Sequence, residues 1–71
     1  MQVDIEIVKH QPLFTLCYGT EKGRKFMQKL VISSWIDNCS IAQVKNTKTL
    51  NIILDNAKKL NVTYEFIEVI E

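Results

Sequence analysis

The sharpest alternation of apolar and polar positions lies in residues 47–71. Leu50, Ile53, Leu54, Ala57 and Leu60 recur at helical spacing on one face, with Lys48, Asp55 and Lys59 on the opposite one. Asn46 or Thr47 is placed to cap this helix, which runs to about Leu60, and Asn61 suits a left-handed terminator. A run rich in β-branched and aromatic residues, Val62 to Ile70, then predicts a strand. Val62, Tyr64 and Phe66 share one face of it and Ile67 and Val69 the other. The apolar face therefore switches near Phe66–Ile67, which implies a bulge or cover on both sides.

At the other end, Val3, Ile5 and Ile7 alternate with Asp4 and Glu6, the period of a half-buried strand. The stretch around Pro12 suits a hairpin loop, since Pro12 fixes its own φ and biases Gln11 toward extended backbone. Leu13 to Tyr18 is a second strand with two largely apolar faces, so it is central or meets a partner on one side. Thr20 is a natural N-cap, with Glu21 in the first turn. The stripe Phe26, Met27 and Leu30, continued by Gly23, Ser33 and Ser34, predicts a helix over 21–36. Its last turns are apolar all round: Val31 and Trp35 flank the stripe, and Ile32 and Ile36 lie nearly opposite it. A strand over 30–36 competes with this reading, but Phe26/Leu30 and Met27/Val31 pair at i,i+4 and favour the helix. Asp37-Asn38 is a turn, and Ser40 to Lys45 holds a short strand.

The predicted order is β-β-α-β-α-β, an α/β chain in an α+β two-layer sandwich. Right-handed crossovers put both helices on one face of a four-stranded mixed sheet. With 71 residues, 1–71 forms a single domain. A chain this short buries only about 60% of its unfolded surface, so oligomerisation is an expected source of extra stability. Cys17 and Cys39, the only cysteines, stand 22 positions apart with no metal-binding spacing. The first six residues include Asp4 and Glu6, where a secretory signal would be basic and then apolar. Reduced thiols and a cytoplasmic location are the expectation, and no residue pattern calls for a metal or another cofactor.

The segment from Asp55 to Val69 resembles the helix–strand unit of glutaredoxins. Where a glutaredoxin places its cysteines, before the helix, this chain has Asn46-Thr-Lys-Thr49, so the redox residues do not carry over.

Net charge is +1, which makes no bulk case for nucleic acid. The charges are nonetheless sorted. Lys22, Arg24, Lys25 and Lys29 crowd the first helix, whereas Asp4, Glu6, Glu65 and Glu68 sit on strands. The basic set at a helix N-terminus could hold an anion, or act on nucleic acid with Trp35 and Tyr18 as stacking groups. Were the first and last strands neighbours, their carboxylates would form an acidic patch suited to a cation or a basic partner. His10 stands in a predicted loop with no orienting acid in evident reach, so no catalytic set emerges.

Surplus apolar surface remains. Ile32, Trp35, Ile36 and Ile52 lie on outer helical faces, and Tyr18 on the sheet side. One core cannot hide them all, and contiguous exposed apolar area marks a partner surface. The expectation is a small protein-binding module that inhibits or regulates another protein, a host factor or a copy of itself. The Ile-, Asn- and Lys-rich composition is that of AT-rich genomes such as many phages and mobile elements have. The alternatives are a nucleic-acid-binding module using the first-helix lysines, and an enzyme subunit completed by another chain.

Overall fold

A computed structural model describes residues 3–10 and 13–68. The expected turn at Pro12 and the end of the last strand at 69–70 lie outside the described residues. The elements are β1 (Ile5–His10), β2 (Leu13–Tyr18), α1 (Glu21–Ile32), β3 (Ile41–Val44), α2 (Thr47–Lys59) and β4 (Tyr64–Glu68). They form a four-stranded mixed sheet in the order β3-β2-β1-β4, so β2 is central and the first and last strands are neighbours. β1 pairs antiparallel with β2 and parallel with β4, and β2 pairs antiparallel with β3. α2 therefore carries the chain from one edge strand to the other, parallel one.

Both helices pack on the same side of the sheet. Ile5, Ile7, Leu16, Ala42 and Val44 meet Phe26, Met27 and Leu30 of α1 and Leu50, Ile53 and Ala57 of α2 in one buried cluster. Ile7, Leu16 and Ala42 form one register row across the sheet, and Ile5 and Val44 lie on the same side of it, which identifies the helix-facing side. Thr20 and Asn46 cap the helices, each accepting from the backbone N–H three residues on.

Both helices end in the same way. Asn61 adopts φ 57°, Asn61 N donates to Lys58 O, and Val62 N donates to Ala57 O at 2.8 Å. That is the Schellman pattern, and Asn tolerates its left-handed residue. In α1 the equivalent residue is Ser34, at φ 63°, with Ser34 N donating to Val31 O and Trp35 N to Leu30 O. The helix thus stops at Ile32, not at 36. Serine rarely takes this conformation, so the stop is not written in a local signal. The early stop turns Ile36 back into the core, where it is 7% exposed.

Two further expectations are corrected. The β1–β4 ladder runs from Ile5↔Tyr64 to Lys9↔Glu68 without interruption, so no bulge separates Phe66 from Ile67. β4 is an edge strand, and its Phe66 is 48% exposed. Leu60, counted in the α2 stripe, is the C-cap, departs from helical geometry and is exposed.

Gly23 explains how α1 lies so close to the sheet. A Cβ there would sit 2.0 Å from Asp4 O and 3.1 Å from Tyr18 Cβ. Only glycine permits this approach.

Candidate functional site

With both helices on one side, the other side of the sheet has no covering layer among the described residues. Strand alternation puts Glu6, Val8, His10, Leu13, Thr15, Cys17, Ile41, Gln43, Glu65 and Ile67 on it. The register arranges them in rows across the strands. One row reads Glu65, Glu6, Cys17, Ile41, and the next reads Ile67, Val8, Thr15, Gln43. Leu13 and His10 pair beyond them. The centre is apolar and one border is acidic. Val8, Leu13, Cys17 and Ile67 are half-buried, and Ile41 is 61% exposed.

The acidic border arises because β1 and β4 are neighbours, which sets Glu6 directly opposite Glu65. No lysine or arginine of the described strands lies on this side. Asp4, expected beside Glu6, is not part of the border. The chain bends at Asp4 before β1 begins, and its carboxylate accepts the Thr20 hydroxyl and the backbone N–H of Thr63. The Thr20 hydroxyl and then the Thr63 N–H hold the Asp4 carboxyl below its usual range, with a smaller pull from Lys22. Asp4 thus ties the N-cap of α1 to the chain entering β4.

Cys17 lies on the open side and its thiol points to Glu6 O at 3.9 Å. Burial, then the Glu6 charge, push its pKa up, so it remains a protonated thiol. Cys39 is exposed in the loop before β3, and both are free. His10 is exposed at the end of β1 remote from Glu6, about 13 Å away at strand rise. Among the described residues, no three His, Cys, Asp or Glu side chains converge as a metal site would require.

The basic residues of α1 divide. Arg24 is engaged by Glu21 in an ion pair and a hydrogen bond from Nε at 3.0 Å. Lys22, Lys25 and Lys29 rim a groove of about 230 Å³ whose floor is Phe26, Leu60 and Val62. Lys22 Nζ also donates to Asn61 O at 2.7 Å, which fixes α1 against the turn into β4. No carboxylate among the described residues pairs with these three lysines.

The apolar residues expected to meet a partner are dispersed. Ile32 is 79% and Trp35 42% exposed, whereas Ile36 is buried and Ile52 half-buried on α2. Tyr18 shares its side with Ile5, so it belongs to the helix layer at the sheet end, not to the open side. Trp35 shares a wide concavity of about 500 Å³ with Val31, Ser34, Ile36, Asp37 and Gln43. Gln43 belongs to the open side by register, so this concavity adjoins it around the β3 edge. Val8, Leu13, Ile41 and Ile67, which the strand pattern alone did not single out, lie on the open side. The signal was present in the two apolar faces of the second strand, but choosing the exposed face requires the register.

No helix among the described residues is long and apolar enough to cross a membrane. Comparison with protein-family models, curated proteins and solved structures finds no match, so the surfaces are read from their own geometry.

Proposed function

We propose that this protein is a protein-binding module whose docking surface is the uncovered side of its sheet. The observation that carries the reading is the contiguous Ile67, Val8 and Thr15 row, with Leu13, Cys17 and Ile41 beside it, under no helix. Apolar area at the centre with a polar border is the anatomy of a protein interface. The border here is Glu6 and Glu65, so the partner presents an apolar anchor flanked by Lys or Arg. Trp35 extends the surface around the β3 edge through Gln43 and supplies an aromatic of the kind that dominates binding energy. A module of this type acts by occupancy, covering a surface that the partner needs, which is how an inhibitor or regulatory subunit works.

The nucleic-acid reading has narrower support. Arg24 is taken by Glu21, which leaves Lys22, Lys25 and Lys29, and no Phe, Tyr or Trp of the described strands lies on the open side to stack a base. The test is to capture the partner with tagged protein, purify it, and titrate it against variants. Val8→Lys and Ile67→Lys should each weaken binding tenfold or more, about 1.4 kcal/mol, while Ile32→Lys leaves it unchanged. Equal binding by all three, with folding intact by circular dichroism, rejects the open side as the docking surface.

A further inference from the structure

We infer that a second copy of this chain pairs with β4 along its free edge, and that Glu68 of each copy reaches the lysine groove of the other. The inference is independent of the open-side reading, because the edge and the sheet face are different surfaces. Among the described residues, β4 has a neighbouring strand on one side only. Ile5 N donates to Thr63 O at 3.0 Å, so Thr63 turns its backbone groups toward β1. Alternation then turns those of Tyr64, Phe66 and Glu68 outward, away from the sheet. A strand edge of this kind is a template for another strand.

The edge is self-complementary in the register centred on Phe66. Antiparallel pairing centred on Phe66 sets Phe66 against Phe66 of the second copy and Tyr64 against its Glu68. All of these are outward-facing residues, so each pair exchanges both of its N–H···O bonds. Glu65 then stands opposite Ile67, and no like charges oppose each other. The neighbouring register, centred on Glu65, would bring two Glu65 carboxylates face to face, which is unfavourable. Phe66 is the large exposed side chain at this edge, and its ring already packs edge-on against Tyr64 with centroids 6.0 Å apart. A second Phe66 would cover it.

Charge selects the same arrangement. Tyr64, Phe66 and Glu68 alternate onto the helix side of β4, and Val62, two residues before the strand, joins the core cluster and lines the groove. Glu68 of the second copy, opposite Tyr64, therefore arrives on the side of Lys25 and Lys29, neither of which is in an ion pair among the described residues. The two-fold symmetry of an antiparallel pair forms this contact twice and closes the assembly as a dimer with one continuous sheet.

Sedimentation equilibrium of the full chain over a concentration series tests this. Wild type should show a monomer–dimer equilibrium that weakens with salt. Phe66→Pro removes an outward N–H and should yield a monomer with an unchanged circular dichroism spectrum. If that variant does not fold, the charge series decides. Glu68→Lys should weaken the dimer at least tenfold, as should the pair Lys25→Glu and Lys29→Glu, and combining all three should restore it. Val8→Lys should leave the dimer intact. A monomer at all concentrations up to about 1 mM, the weak end of specific association, overturns the inference. So does a dimer that survives Phe66→Pro, one that Val8→Lys abolishes, or a charge swap that fails to restore pairing.

Discussion

Asp4 and Thr63 are joined across 59 positions of sequence: the Asp4 carboxylate accepts the Thr63 N–H at 3.0 Å and its hydroxyl at 3.1 Å. The Thr63 hydroxyl in turn accepts from Asp4 N at 3.0 Å. With Thr20 bound to the other carboxylate oxygen, this network clamps the starts of β1, α1 and β4 together. Hydrogen bonds to a charged group contribute about 1.5–3 kcal/mol when sheltered. Asp4 is half-exposed, so Asp4→Ala should cost about 1 kcal/mol, discounted for solvent screening. Urea unfolding of Asp4→Ala, Thr63→Val and the double variant should show clear non-additivity.

The same carboxylate makes stability depend on acid. Its native pKa is lowered by the Thr20 hydroxyl first and the Thr63 N–H second. The unfolded chain therefore binds the proton more readily than the native one. The contribution is fully present above the unfolded value of about 3.9 and fades as pH falls through the lowered native value. The stability difference between wild type and Asp4→Asn should thus be constant near neutrality and shrink below about pH 4. A difference that grows on acidification contradicts this assignment.

Gly23→Ala should destabilise, although alanine is the better helix former by about 1 kcal/mol. The added methyl would lie 2.0 Å from the Asp4 carbonyl oxygen, a backbone atom that cannot move without shifting β1. The net cost should be about 2–3 kcal/mol, in the range of overpacked cores. Chemical denaturation measures it, and a neutral or stabilising result would mean that α1 does not approach the sheet this closely.

Ser34→Gly should do the opposite. Ser34 is held at φ 63°, where a Cβ is strained and glycine is not. After the entropy glycine adds to the unfolded chain, a gain of about 0.5–1 kcal/mol is expected. Its measure is a higher melting temperature. An unchanged or lower one would argue that α1 continues past Ile32.

Ile32 and Ile36 are four residues apart yet differ in exposure, 79% against 7%. Ile36→Ala should cost about 2–4 kcal/mol, as truncations of buried isoleucine do. Ile32→Ala should stay within about 0.5 kcal/mol. Comparable costs at both sites would restore the longer helix.

The two thiols should differ in reactivity. Cys39 is exposed, whereas Cys17 is partly covered and its pKa is pushed up by burial and by Glu6. Alkylation of the native protein near pH 8 should modify Cys39 first, with Cys17 lagging until denaturant is added. Faster reaction at Cys17, read by peptide mass, would be inconsistent with its place on the sheet.

Much of this architecture is encoded within a few residues at a time. Thr20 and Asn46 announce helix starts, Asn61 announces a stop, and period-two and helical alternation identify β1 and α2. These signals are local because capping bonds and side-chain periodicity act over three or four positions. That reading yields the β-β-α-β-α-β order and the helices on one side. Tertiary structure alone decided the rest. Ser34 ends α1 through backbone bonds that its own side chain does not predict, and Ile36 changes from surface to core as a result. The pairing of Glu6 with Glu65 and the groove between Lys22, Lys25, Lys29 and Leu60 unite segments some 30 to 60 positions apart. Which strand forms an edge and which face lies open depend on register and strand order. Those are set by packing summed over the whole chain, and no window of neighbouring residues contains them.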